Sequence, residues 1–273
     1  MVSVQNRYEE IVFEREGDVA KITLNKPDKV NPLSIKMSDE LRDAIEKIRR
    51  DPSIRFVVFR GAGGNFSAGD DISEFDDWGD SSAVIDRIRY YQDTANIIED
   101  LDKITIAAVQ GYAVGGGLEV TMVCDFVIAE EGSMFGMPEI DIGITPGWGG
   151  TQRLVRLIGR RKTKELIYLG SFLTAEEALD YGLVNKVVKK GELDAAVNEL
   201  LDILRTKSPL ILKLAKLIIQ KGVEADLRTA LAFEALSSTV CWTTDEKKQS
   251  CRSFVKKQDP WVSRRRKVLR STW

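Results

Sequence analysis

Two glutamates occupy segments that otherwise look buried. Glu119 is the only residue between Val109 and Cys124 that is charged at neutral pH, and Glu139 lies in the apolar run Met134–Ile140. A buried carboxylate without a partner is costly, so each acid must be paired, protonated or functional. Either acid alone could instead reach solvent or pair with Lys or Arg. Because both stand beside glycine-rich turns, they favour a catalytic carboxyl pair for acid–base chemistry.

Glycine is concentrated in three segments, 61–64, 115–117 and 147–150. None matches the dinucleotide fingerprint or the P-loop pattern, so nucleotide binding by those routes is unsupported. Any one of these loops could be an ordinary turn. The middle loop, however, lies between the apolar run Ile104–Val109 and an apolar stretch that begins at Leu118. Free N–H groups and a helix dipole at such a place predict an anion or oxyanion site made of main chain.

The composition excludes much other chemistry. The 273 residues include no histidine, which removes His-based triads, His-ligated zinc and imidazole acid–base catalysis. Three cysteines without a CxxC pair make a disulfide framework or a Cys-only metal site improbable and favour a reducing compartment. We expect no metal. Forty Lys and Arg against 42 Asp and Glu give no global attraction to nucleic acid or membrane.

The first residues show neither a secretory signal nor a transit peptide, and no run of 18 apolar residues could span a bilayer. These features predict a cytoplasmic protein that does not insert into membranes.

Hydrophobic periodicity predicts an α/β core with parallel neighbouring strands. A first hairpin is followed by alternating helices and short apolar strands, and only helices are predicted beyond about residue 190. The predicted strands are Tyr8–Phe13, Val19–Leu24, Phe56–Phe59, Ile104–Val109 and Phe126–Ala129. The predicted helices are one capped by Ser34, one over Val84–Ile98, and Leu193–Leu204, Pro209–Ile219, Leu227–Val240 and Glu246–Val255.

Four motifs in register resemble the crotonase (enoyl-CoA hydratase/isomerase) superfamily, and the likeness covers essentially the whole chain. The motifs are Phe66–Ile72 (FSAGDDI), Gly115–Glu119 (GGGLE), Phe135–Glu139 (FGMPE) and Pro146–Leu154 (PGWGGTQRL). The resemblance implies a crotonase-type spiral of ββα units over 1–190 and a helical C-terminal subdomain over 191–273. It also implies a homotrimer or homohexamer, with the C-terminal helices making trimer contacts and covering the CoA site.

The resemblance further implies an acyl-CoA thioester substrate and no cofactor other than the coenzyme A of that substrate. The N–H groups of Ala68 and Gly116 match the family's oxyanion hole. By the same analogy, Glu119 activates water and Glu139 delivers a proton to the α-carbon. The remaining residues expected to bind substrate or CoA are Lys26, Lys29, Phe66, Asp70, Asp71, Ile72, Gly147 and Trp148.

Two residues depart from the family pattern. Trp148 stands where straight-chain hydratases carry a small residue, and Asp70 replaces another small residue. The indole could stack on a flat or cyclic acyl group, or it could simply pack inside the protein. A hydratase of cyclic enoyl- or dienoyl-CoA therefore remains an alternative to a straight-chain hydratase.

Two other functions remain open. Typical isomerases of the family keep only one of the two glutamates, so the presence of both favours hydration over isomerisation. An inactive RNA- or protein-binding scaffold is the alternative of a different class, suggested by the basic run 264–267. Near-neutral charge and two retained acids argue against it, so nucleic acid is not an expected partner.

Overall fold

The computed structural model describes residues 8–255. Its strands are β1 (Ile11–Glu16), β2 (Val19–Leu24), β3 (Phe56–Gly61), β4 (Ile104–Val109), β5 (Tyr112–Val114), β6 (Phe126–Glu130), β7 (Met134–Gly136), β8 (Phe172–Thr174) and β9 (Lys186–Val188). Its helices are α1 (Ile35–Arg50), α2 (Ser81–Glu99), α3 (Gly116–Met122), α4 (Gly150–Tyr168), α5 (Ala175–Asp180), α6 (Leu193–Arg205), α7 (Pro209–Glu224), α8 (Leu227–Trp242) and α9 (Asp245–Val255).

Six strands form the main sheet in the order β1-β2-β3-β4-β6-β9. β1 and β2 make the predicted antiparallel hairpin, and the later strands pair in parallel. All six residues of β4 are buried, as expected for a strand covered on both faces. Because parallel strands end at the same edge, the loops after β3 and β4 emerge side by side. The loop after β3 carries the motif Phe66–Ile72, and β5, which follows the loop after β4, leads into the motif Gly115–Glu119.

The helix α1 shows how sequence pattern becomes structure. The Ser34 side chain accepts a hydrogen bond from the Met37 N–H and caps the helix, as predicted. The apolar residues Leu41, Ile45 and Ile48 are all buried in the core. In α2 the predicted stripe is buried only in its second half, from Tyr91 onward.

A second sheet of three short strands, in the order β5-β7-β8, lies next to the motifs. β5 leads into α3, which carries Glu119, and β7 leads into the 3₁₀ turn that carries Glu139. At position 136 a Cβ would lie 2.8 Å from the Phe172 ring, so only glycine allows β8 to approach this closely. The small sheet therefore fixes the two glutamate segments relative to each other.

The chain divides into two compact units after Asn198, within α6. In the second unit α7 packs against α8, and α8 contacts α9. The α/β class and the helical C-terminal region agree with the prediction. Within residues 8–255, no helix is both long enough and apolar enough to cross a membrane.

Candidate active site

The loop after β3 is held between two other segments by single parallel bridges. Ser67 pairs with Ala113 on one side, and Asp70 pairs with Leu33 on the other. The bridge at Leu33 consists of the Leu33 N–H donating to Gly69 O at 2.8 Å and the Asp71 N–H donating to Leu33 O at 3.1 Å. Because N–H groups alternate in direction along an extended segment, the Asp70 N–H faces away from Leu33.

The structure corrects the predicted oxyanion donor in this loop. The Ala68 N–H donates to the carbonyl of Val30 at 2.8 Å, so it is already used within the protein. By contrast, the Asp70 N–H donates no hydrogen bond to any of residues 8–255. A Cβ on Gly69 would lie 3.3 Å from the Gly116 nitrogen, so the Asp70 and Gly116 amides belong to one small region. The available pair of donors is thus Asp70 and Gly116, not Ala68 and Gly116.

The glycine triplet permits this close approach. Gly115 has a φ of 53°, a left-handed conformation that starts α3. A Cβ on Gly117 would lie 2.7 Å from the Ser67 Cβ, and one on Gly116 would lie 3.0 Å from Asp70 Oδ1. Side chains at these positions would push the loop away from α3 and separate the two amides.

Glu119 is 1% exposed and is held by one carboxylate oxygen. Its Oε1 accepts hydrogen bonds from the main-chain N–H of Trp148 at 2.8 Å and of Gly150 at 2.5 Å. Its Oε2 is buried and has no hydrogen-bond partner in the described part of the chain. Burial raises the pKa of Glu119 well above its usual value, and the charges of Asp70 and Glu139 raise it further.

Glu139 is 7% exposed, and both of its oxygens are buried without a hydrogen bond from any other described residue. A Cβ on Gly115 would lie 3.4 Å from Glu139 Oε1, which places this acid beside the glycine triplet. Burial is the main cause that raises the pKa of Glu139 to about 7, and the Asp70 charge adds to it. The two predicted catalytic acids are therefore close enough for their charges to interact, and three of their carboxyl oxygens have no hydrogen-bond partner among residues 8–255.

Asp70 and Trp148 are hydrogen-bonded to each other. The indole N–H donates to Asp70 Oδ1 at 2.7 Å. Trp148 is 0% exposed and stacks on Tyr91, with ring centroids 4.7 Å apart. Burial of the Asp70 carboxyl raises its pKa to about 6, although the hydrogen bond from the indole opposes the shift. Since Tyr91 covers one face of the indole, that face is closed to a cyclic acyl group.

Two residues expected to bind CoA are structural here. Phe66 is 0% exposed within the hydrophobic core, so it offers no surface to a ligand. Asp71 is 8% exposed and caps the short 3₁₀ turn that follows, because its Oδ1 accepts from the Ser73 N–H at 3.3 Å and from the Ser73 hydroxyl at 2.5 Å. Packing in the hydrophobic core accounts for Phe66, and capping of the 3₁₀ turn accounts for Asp71.

The remaining predicted contacts lie nearer to solvent. Lys26 pairs with Glu10 and Asp71, with both N–O distances at 3.2 Å. Lys29 is exposed, and Ile72 is 61% exposed. Gly147 is partly exposed, and a Cβ built there would meet no atom within 4 Å.

Asn31 is an important residue that the sequence reasoning missed. It is 0% exposed and has a φ of 53°. Its Nδ2 donates to the carbonyls of Ala62 and Asn65 at 2.9 Å each, while its Oδ1 accepts from the Lys26 N–H at 2.9 Å. It ties the segment 26–33 to the loop after β3. An Asn before a proline was the available signal, because Asn tolerates positive φ.

Comparison with known proteins agrees with this geometry. Residues 14–264 match the model of the family described as enoyl-CoA hydratase/isomerase. The short-chain-enoyl-CoA hydratase of Clostridium acetobutylicum is 38% identical over 91% of this chain and 95% of its own. The crotonyl-CoA hydratase of Syntrophomonas wolfei is 36% identical over 92% of this chain and 96% of its own length.

A solved structure of enoyl-CoA hydratase from Bacillus anthracis superposes with a TM-score of 0.85 at 35% identity, covering 91% of this chain and 97% of that one. The predicted crotonase-type fold is thereby confirmed. The chain belongs to the enoyl-CoA hydratase/isomerase family.

Proposed function

We propose that the protein is an enoyl-CoA hydratase that adds water reversibly across the 2,3 double bond of an acyl-CoA thioester. The observation that carries this proposal is the pair of buried glutamates with unpartnered oxygens beside two main-chain amides. Relatives named short-chain-enoyl-CoA hydratase and crotonyl-CoA hydratase support a short acyl group.

The amides of Asp70 and Gly116 bind the thioester oxygen. Addition of water at the β-carbon moves negative charge onto that oxygen, so two fixed donors stabilise the enolate-like transition state. Each contributes on the order of 3 kcal/mol by comparison with oxyanion donors in other enzymes. No side chain is needed for this step.

The two glutamates hold and move protons. Glu119 is fixed through Oε1 and presents Oε2, so it positions a water and takes its proton. Glu139 has a pKa raised to about 7 and can therefore carry the proton that the α-carbon receives. In dehydration both roles reverse. The reaction involves no net oxidation, so no cofactor is required beyond the CoA of the substrate.

The test is a hydration assay with crotonyl-CoA on the full chain, followed by loss of the conjugated thioester absorbance and by mass spectrometry of the product. We expect a gain of one water in the product. Glu119→Gln and Glu139→Gln should each lose most turnover, while Glu131→Gln, at an exposed turn, should not. Absence of hydration by the folded wild-type protein would reject the proposal, as would near-wild-type rates in either active-site variant.

We also propose that the protein assembles as a homo-oligomer, a trimer or hexamer. Exposed apolar side chains lie around the end of α4 and the neighbouring 3₁₀ turn, namely Ile140, Ile142, Tyr168, Leu169 and Phe172. They share one surface, since a Cβ on Gly170 would lie 2.6 Å from Asp141 Oδ2. Light scattering of the purified protein and of Leu169→Glu tests this; a monomeric wild-type protein contradicts it.

A further inference from the structure

Trp148 lies between the two parts of the proposed site. Its main-chain N–H donates to Glu119 Oε1 at 2.8 Å, so its side chain starts close to that carboxyl. The indole Nε1 lies 3.3 Å from the position that a Cβ on Gly116 would take. The side chain thus runs from near the carboxyl proposed to face the β-carbon to near the amide proposed to face the thioester oxygen.

This indole is fixed in place. Its N–H is bound to Asp70 at 2.7 Å, and its ring stacks on Tyr91 with an interplanar angle of 16°. Tyr91 is itself 2% exposed and contacts Trp78, with centroids 5.8 Å apart. Rotating the indole away would break the hydrogen bond to Asp70 and open the aromatic stack. Displacement of the ring by a substrate would therefore cost the free energy of both contacts.

The position of the indole matters for the carbons beyond the double bond. In the proposed reaction, the β-carbon lies against the water held by Glu119, so the γ-carbon and its successors leave the carboxyl pair next to Trp148. A large rigid side chain at that point removes volume that a long acyl chain needs. A crotonyl group, with a single carbon beyond the β-carbon, needs least of that volume.

We infer that Trp148, locked by Asp70 and Tyr91, closes the acyl end of the cleft and restricts the enzyme to short straight-chain enoyl-CoA thioesters. This inference rests on the proposed hydratase function and adds the residue that sets chain length. Trp148 is a specificity-determining residue here, and Asp70 and Tyr91 are positioning residues that act through it.

The experiment compares kcat/KM for crotonyl-, hexenoyl- and octenoyl-CoA in the wild-type protein and in Trp148→Ala. The wild-type protein should favour crotonyl-CoA. The variant should raise the ratio of octenoyl to crotonyl kcat/KM by at least about tenfold, because even one methylene in a fitted apolar pocket is worth about that factor. Trp242→Ala, which removes a tryptophan that is 65% exposed, is the matched control and should leave the ratio unchanged.

A second variant keeps the inference testable if Trp148→Ala does not fold. Trp148→Leu keeps part of the apolar volume and should shift the ratio in the same direction by a smaller factor. An unchanged ratio in a folded Trp148→Leu or Trp148→Ala protein overturns the inference, as does a wild-type preference for octenoyl-CoA. A wild-type protein that hydrates none of the three thioesters instead rejects the proposed function itself.

Discussion

The main-chain N–H of Trp148 donates a 2.8 Å hydrogen bond to Oε1 of Glu119. With the Gly150 N–H on the same oxygen, this contact fixes the carboxyl and leaves Oε2 unpartnered. One oxygen is thus used within the protein, and the other is available for the proposed chemistry. The arrangement separates what a substitution of Glu119 does to folding from what it does to catalysis.

For Glu119→Gln we expect a folded protein with little activity. The amide oxygen of Gln can still accept from both main-chain donors, but the side chain can no longer take a proton from water. The expected loss in kcat is roughly 10²–10⁴-fold, with a small change in KM. Steady-state hydration kinetics and circular dichroism measure the two effects. A variant that loses secondary structure, or that keeps its kcat, would contradict this division between the two oxygens.

Glu139→Gln should stabilise the protein at neutral and alkaline pH. The pKa of Glu139 is about 7 in the folded protein against an ordinary 4.5, so the folded state binds this proton more tightly than the unfolded state. Stability from this group is therefore present below the unfolded pKa and is lost as pH rises through the folded pKa. A neutral amide avoids that loss of stability, which is on the order of 3 kcal/mol for a pKa difference of this size.

Thermal denaturation of Glu139→Gln and the wild-type protein at several pH values tests this prediction. The Tm of the variant should exceed that of the wild type at pH 8, and the difference should shrink towards pH 4.5. Glu131→Gln, at an exposed turn, is the control. An equal Tm difference at all pH values would show that ionisation of Glu139 is not its cause.

Asp70→Asn should move the pH dependence of activity. The Asp70 charge raises the pKa of both Glu119 and Glu139, so its removal lowers both. Because the Glu139 charge also raises the pKa of Glu119, we expect the two glutamates to titrate together and the basic limb of the kcat/KM profile to shift to lower pH. A profile with both limbs in their wild-type positions would mean that Asp70 carries no charge near the pair during turnover.

Gly150→Ala should displace the Glu119 carboxyl by a steric clash. A Cβ at this position would lie 2.4 Å from the Met137 Cε and 2.7 Å from Glu119 Oε1. Glu119 must then move, so we expect a loss of activity together with a loss of stability of about 1–3 kcal/mol. In Gly222→Ala, within α7, the new Cβ would lie at an ordinary 3.6 Å from the Cβ of Ala230 in α8. That control should be neutral or slightly stabilising; equal behaviour of the two variants would refute the steric argument.

Local patterns in the sequence were enough for much of the fold. The Ser34 cap, the hairpin and the fully buried β4 follow from capping, turn and hydrophobic rules that act within a few residues. The small sheet was missed because its three-residue strands are too short to show a period of two. The helix α4 was not predicted at all, because a glycine loop runs directly into it.

Local sequence patterns predicted only part of the candidate site as well. Charge in an apolar context was sufficient to select Glu119 and Glu139, and the structure brings them together. Choosing between Ala68 and Asp70 as the amide donor required the register of the bridge to Leu33, which depends on a contact across 37 positions (70 minus 33). The contact between Asp70 and Trp148, 78 positions apart, was equally inaccessible to local reasoning.

The small sheet has a consequence for the order in which the protein becomes competent. β7, which delivers Glu139, is hydrogen-bonded to β5 on one side and to β8 on the other. During synthesis β5 and β7 leave the ribosome early, whereas β8 follows only after the whole of α4. A nascent chain thus possesses both acids well before the strand that anchors one of them. Translation must pass residue 174 before the catalytic apparatus can mature, and a chain arrested earlier would be inert.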